Sequence, residues 1–195
     1  MTTIPTLYTQ TPFARAVSAL LQKVGESLGP LPYQLPVIIF GGAAVHLYVP
    51  ARMSEDLDLD FLSRRVGYDR EARVVYKDET GNHTLAVDPT YSTTFGPIQE
   101  DYEDRAVPVD LGVVAQMEVK IAAPVDLVIS KLGRFAAHDQ ADIRALIHAG
   151  LVEKQTFQAL AEDAISVYVG RTNALRTSLD LTLQMFPGKP SERPR

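Results

Sequence analysis

The sequence predicts an α/β (α+β) domain, a mixed sheet flanked by helices, continued by a helical C-terminal region. Three observations predict it. The apolar run Val37-Ile38-Ile39-Phe40 stops at Gly41-Gly42 and gives way to a helical stretch, and a short β-branched and aromatic run of this kind reads as a buried strand. From Asp56 to Leu62 acidic and apolar side chains alternate, which is the period of a second strand. Beyond Pro124 the period becomes helical and stays so to about Phe186. The 195 residues are 46% hydrophobic and 22% charged, a globular composition. At this size folding buries roughly 70% of the unfolded surface, so no disulfide or structural metal is needed.

Taken in order, Phe13, Val17, Leu20, Leu21, Val24 and Leu28 recur at three- and four-residue steps and predict an amphipathic helix over Pro12–Leu28, stopped by Gly29-Pro30. The strand Val37–Phe40 follows a Pro-punctuated loop, and a short helix over Ala43–Tyr48 is closed by Pro50. After the acidic strand, further strands are expected at Arg73–Tyr76, Thr84–Val87, Ala106–Leu111 and Met117–Ile121, with a turn between the first two where Asp78 and Gly81-Asn82 favour one. The C-terminal helices are punctuated at Gly150, Gly170 and Pro187, and PGKPSERPR reads as a disordered tail. The chain thus divides into an α/β domain over 1–123, a helical region over 124–186 packed on it, and a tail over 187–195.

The chemistry concentrates in the second strand. Asp56, Asp58 and Asp60, two apart, project from one face of a continuous strand while Leu57, Leu59 and Phe61 project from the other. Same-face neighbours lie roughly 6–7 Å apart along the chain, close enough to converge on one cation or a close pair. A solvated edge strand is the plain alternative. An EF-hand starting at Asp56 fails, because Phe61 and Gly67 stand where glycine and glutamate are required. Gly41-Gly42 joins strand to helix, and glycine lets backbone N–H groups approach a phosphate at the positive end of a helix. It is not a P-loop, since no Gly-Lys-Ser/Thr follows. A phosphate cradle followed by paired carboxylates is equipment for divalent-metal-assisted transfer from a nucleoside triphosphate.

With FGGAAVHLYVPARMSEDLDLDF on the page, the chain resembles the polymerase-beta-like nucleotidyltransferase superfamily, whose signature is a glycine-rich strand-to-helix turn followed by an Asp-x-Asp strand. GGAAVHLY, LAVDPTY, EDYEDRA and APVDLVISKLGRFAAHDQADIRALI make it similar to a bacterial family of small nucleotidyltransferase-like proteins akin to abortive-infection and toxin–antitoxin enzymes. The resemblance implies the minimal nucleotidyltransferase fold with its catalytic domain over 1–123, and Mg²⁺ or Mn²⁺ as cofactor. It carries metal binding to Asp56 and Asp58, and nucleotide binding to Gly41, Gly42, Arg52, Ser54, Lys131 and Asp139. A third carboxylate on a neighbouring strand is assigned to Asp88, with Asp110 and Glu118 as competitors; Lys131 is added to the catalytic set. Asp60 is expected as an outer or exposed acid. Two departures stand out: related enzymes carry Gly-Ser where this chain has Gly41-Gly42, and thirteen residues separate Gly42 from Asp56.

Lys131 and Asp142 fall about 20° apart around the axis of an unbroken helix, which would place Val128, Leu132, Phe135, Ile143 and Leu146 on a common face. Asp139 would then sit inside the apolar arc, where a lone carboxylate is costly, so the helix is expected to break with Asp139 as an N-cap. The related families place Lys131, Arg134, Asp139 and Asp142 in their site motifs; an ordinary surface lysine is the alternative for Lys131. His46 is expected to be a half-buried, hydrogen-bonded side chain, and the acids around Tyr102 a solvated loop.

The absence of cysteine excludes disulfides, zinc–thiolate sites, iron–sulfur clusters and thiol nucleophiles. The opening MTTIPTLYTQ lacks a basic n-region and an apolar h-region, so a cytoplasmic protein without a membrane partner is expected. The formal charge of -5 argues against a wholly nucleic-acid-binding surface. Eight of the 24 acids, however, lie within Glu55–Asp60 and Glu100–Asp104, and the remaining 16 face 19 bases. The expected activity is transfer of a nucleoside monophosphate from a nucleoside triphosphate to a hydroxyl, on an RNA 3′ end such as tRNA or on a protein side chain, with a cognate antitoxin as a further partner. The alternative is a catalytically silent binding or antitoxin module.

Overall fold

The computed structural model describes residues 5–50, 53–62, 66–112 and 116–187. Helix α1 (Pro12–Ser27) starts at an N-cap, Thr11, whose hydroxyl accepts from the Ala14 N–H at 3.0 Å. Strand β1 (Leu35–Ile39) leads into α2 (Gly41–Tyr48). The acidic segment supplies two short strands, β2 (Asp56–Leu57) and β3 (Leu59–Asp60). A hairpin follows, β4 (Arg73–Asp78) and β5 (Gly81–Val87), then the short helix α3 (Tyr102–Arg105), β6 (Val107–Pro108) and β7 (Met117–Ile121). The C-terminal region is α4 (Pro124–Lys131), α5 (Ala137–His148), α6 (Lys154–Val167) and α7 (Thr172–Leu183).

Two sheets share the work. One has the order β3-β1-β7-β6, with β1 parallel to β7 and antiparallel to β3; the other has the order β2-β5-β4, with β2 parallel to β5. The expected single acidic strand is therefore a correction: the chain leaves one sheet for the other at Asp58, between β2 and β3. Its three acids do not share a face. Asp56 is exposed, whereas Asp60 is buried and accepts hydrogen bonds from the Tyr102 hydroxyl at 2.5 Å and the Leu62 N–H at 3.1 Å. Asp60 is thus not an exposed acid. Alternation set the period, but pairing with two different neighbours decided where each strand ends.

Helix α1 packs across β4 and β5, and α4 lies against α2, α5 and α6. One continuous buried cluster runs from Phe13 in α1 through Ile39 and Leu127 to Phe186, so the helical region shares the core of the sheets. Phe157 stacks on Phe186 with ring centroids 5.7 Å apart. The expected strand over Ala106–Leu111 is shorter, with β6 limited to Val107–Pro108 and one more bond from the Val109 N–H to the Val119 carbonyl at 3.4 Å; the acids around Tyr102 are exposed, as expected, but Glu103 and Asp104 lie in α3 rather than in a loop. His46 is hydrogen-bonded as expected, with Nε2 2.9 Å from Thr11 Oγ1, but is buried rather than half-buried. Among the described residues no helix is long and apolar enough to cross a membrane. Most of the expected tail, and Arg52 with it, lies outside the described residues.

Candidate active site

Backbone hydrogen bonds bring three element ends together. Phe40 N–H donates to the Asp58 carbonyl at 2.9 Å, and Asp88 N–H donates to the Leu57 carbonyl at 3.0 Å. The first bond pins the β2–β3 junction to the end of β1, and the second sets Asp88, just past β5, beside Asp58. The parallel register of β2 and β5, Asp56 with Ala86 and Leu57 with Val87, continues to that pair. Gly41 opens α2 with φ +64°, and a Cβ there would collide with the Asp58 carboxylate. Glycine is required at this position on both counts.

Gly41, Asp58 and Asp88 line a cleft of about 470 Å³ whose far wall holds Lys131, Arg134 and Asp139. The structure thus brings together Gly41, Asp58, Asp88, Lys131 and Asp139 from the expected set. Gly42 is buried inside the first turn of α2. Ser54 and Asp56 line a neighbouring cleft of about 610 Å³ with Tyr76 and Thr84, although Asp56 still senses the charge of Asp88. The competitors for the third carboxylate lie elsewhere. Asp110 accepts from the Gly112 N–H at 3.0 Å in a separate depression, and Glu118 is exposed on β7 with Lys120 4.0 Å away.

The electrostatics follow from this convergence. Burial first, then the negative charge of Asp88, lifts the Asp58 carboxyl to about 6; Lys131 and Arg134 pull it back and Asp56 adds to the rise. The Asp56 carboxyl is raised too, by burial and by Asp88 and Glu55. Asp88 is fixed through Oδ1, which accepts from the Thr90 N–H at 2.8 Å and hydroxyl at 2.7 Å. Among the described residues no group of three or more His, Cys, Asp or Glu side chains forms a ready-made metal cage. The donor set nevertheless fits a hard divalent cation. Magnesium takes carboxylate oxygens, commonly one or two, and completes its octahedron with substrate phosphates and water, and a cation would offset the charge of Asp88 that, after burial, raises both Asp56 and Asp58.

On the opposite wall the helix breaks at 132–136, where Phe135 adopts φ +49°. The break was expected; its cap is a correction. Asp139 is the third residue of α5, and its carboxylate reaches back to the Ala136 N–H at 3.1 Å, because an alanine N-cap offers no oxygen of its own. Phe135 sits in the break rather than on the common face. Lys131 is no surface lysine: it is 5% exposed, with Nζ 2.8 Å from Asp142 Oδ2 and 3.5 Å from Asp139 Oδ1. Arg134 forks onto Asp139, Nε to Oδ2 at 2.7 Å and Nη2 to Oδ1 at 2.8 Å. Burial pushes the Asp139 carboxyl up, but the bonds from Arg134 and the Lys131 charge more than offset this and hold it low. Tyr91, Ile98 and Tyr168 also line the cleft; they carry no spacing signal, and only the fold gathers them.

Acid-bearing strand ends share a cleft with fixed cations beside a helix opened by glycine in an α/β protein, the arrangement that the nucleotidyltransferase resemblance implies. Comparison with protein families agrees: residues 17–184 match the family described as "Nucleotidyltransferase of unknown function (DUF6036)". The chain belongs to that family. No curated protein and no solved structure matched it.

Proposed function

We propose that the protein transfers a nucleoside monophosphate from a nucleoside triphosphate to an acceptor hydroxyl, in a reaction that depends on Mg²⁺ or Mn²⁺. The observation that carries this reading is the meeting of Asp58 and Asp88 at Gly41, with Asp56 near enough to feel the charge of Asp88 and to add to the rise of Asp58 that burial and Asp88 cause. When bound to these carboxylates, the cation supplies Lewis acidity and offsets the phosphate charge. The chain supplies the rest. First-turn N–H groups of α2 lack intrahelical acceptors and face the phosphates. Arg134 and the buried Lys131 bring a guanidinium and an ammonium group to the cleft, held there by Asp139 and Asp142. The acceptor oxygen bonds to the α-phosphorus, the α–β bridging bond breaks, pyrophosphate leaves with the electron pair, and the hydroxyl proton passes to a carboxylate, for which Asp88 is our assignment.

The protein is incubated with each α-labelled nucleoside triphosphate, Mg²⁺ or Mn²⁺, total RNA and a cell lysate, and RNA and protein fractions are counted separately. Label should enter one fraction only when metal is present, and should be absent with Asp56→Ala or Asp58→Ala. Asp88→Asn should abolish transfer while the protein stays folded. The labelled fraction identifies the acceptor. The similarity to toxin–antitoxin enzymes extends the proposal to growth arrest, read by inducing wild type against Asp58→Ala in cells. One observation favours the silent-module alternative: Gly41-Gly42 offers backbone donors alone, without a hydroxyl. A folded protein that binds neither nucleotide nor metal by calorimetry would establish that alternative.

A further inference from the structure

We propose that Arg134, rather than Lys131, is the side chain that grips the triphosphate, and that Asp139 is the positioning residue that holds Arg134 to the cleft. This rests on the nucleotidyltransferase reading above. Lys131 has the right charge but the wrong surroundings. Its ammonium is 5% exposed and already contacts Asp142 at 2.8 Å and Asp139 at 3.5 Å. Turning it to a phosphate would break its 2.8 Å contact with the carboxylate of Asp142, which is 2% exposed.

Arg134 stands the other way round. Its side chain is 67% exposed, and the two donors that it gives to Asp139 lie on one edge of the guanidinium. A guanidinium has five N–H donors, so three remain, on a planar group whose orientation is fixed before any ligand arrives. Paired donors on a plane suit phosphate oxygens better than a mobile ammonium does. Asp139 in turn is held by the Ala136 N–H at 3.1 Å and by the Lys131 charge. His138 Nε2 stands 3.6 Å from it as well. The helix break matters here: it ends α4 at Lys131, which lines the cleft but is 5% exposed, and brings the 67% exposed Arg134 to the same wall.

Calorimetry with sodium tripolyphosphate, ATP, CTP, GTP, UTP and the matching monophosphates, with and without Mg²⁺, tests the division of roles. Arg134→Ala should weaken tripolyphosphate and triphosphate binding about ten-fold to a hundred-fold and leave monophosphate binding nearly unchanged. Arg134→Lys should recover only part, because a lysine cannot fork onto Asp139. Asp139→Asn should weaken triphosphate binding in wild type but add nothing on top of Arg134→Ala, a non-additivity that a general loss of stability would not produce. The charge-free pair Lys131→Met with Asp142→Leu should bind triphosphate within about two-fold of wild type, since a well-packed apolar pair can replace a buried ion pair. If Arg134→Ala binds triphosphate like wild type, Arg134 is not the grip and the proposal fails, whether or not the charge-free pair folds. A folded charge-free pair that loses triphosphate ten-fold restores Lys131 as the ligand and also overturns it. Wild type that binds tripolyphosphate and every nucleotide equally poorly overturns the nucleotidyltransferase reading itself, a separate result.

Discussion

Gly41 and Asp58 compete for the same space, and their contact is the tightest point of the site. Gly41→Ala would place a methyl group in the Asp58 carboxylate and force an L-residue to φ +64°. The strain alone costs about 1–2 kcal/mol, so the variant should unfold at lower urea and lose transfer together. Asp58 makes a second, pH-dependent statement. Its carboxyl is lifted to about 6 by burial and by Asp88 and Asp56, against the pull of Lys131 and Arg134. The folded, metal-free protein therefore holds this proton more tightly than the unfolded chain does. That contribution is fully present below about pH 4 and is lost as pH rises through about 6. Asp58→Asn should raise the melting temperature of metal-free protein at pH 8, with the gain fading toward pH 4. A gain that is the same at both pH values would mean that charge repulsion is not its source. At this scale the sequence was informative about which acids matter. It could not show that Asp60 turns inward to Tyr102, because the hydroxyl that draws it comes from forty-two residues away.

Elements carry the site by where they end. The β2–β3 junction, the end of β5 and the α4–α5 break present the side chains of Asp58, Asp88 and Arg134, and the β1–α2 turn presents the backbone of Gly41. Helix periodicity revealed the last of these in advance, since an unbroken helix would bury Asp139 among apolar neighbours. Its capping geometry was not legible, because an alanine N-cap gives no sequence sign and the carboxylate reaches back from the third position instead. The two sheets were equally hidden: Asp56–Leu57 and Leu59–Asp60 are too short to be strands except by pairing with β5 and β1. Two measurements belong here. Asp142→Ala removes the carboxylate nearest the buried Lys131 ammonium and should cost about 3 kcal/mol in urea unfolding. Tyr102→Phe removes a hydrogen bond to the Asp60 carboxylate and should cost about 1.5–3 kcal/mol, with little effect on nucleotide binding.

The whole molecule is organised around one core, although the sequence divides naturally near residue 123, where strand periodicity gives way to helical periodicity. The buried cluster is continuous across that point: Ile121 of β7, Leu127 of α4 and Phe157 of α6 belong to it together. Thermal unfolding followed by circular dichroism and by tyrosine fluorescence should therefore show one transition at one temperature, and a chain ending at Ala123 should fail to fold. Such a core also explains why the cleft draws its lining from both regions: Asp58 comes from the sheets and Arg134 from the helical region, and α4 packs on α2. The most direct test of the central claim compares adenosine, cytidine, guanosine and uridine triphosphates labelled at the α- or the γ-phosphate, with Mg²⁺ and the acceptor fraction. Nucleotidyl transfer would leave α-label on the acceptor and release γ-label as pyrophosphate in equal amount, and Asp58→Asn should abolish both. Retention of γ-label on the acceptor, or α-label transfer that survives Asp58→Asn, would contradict it.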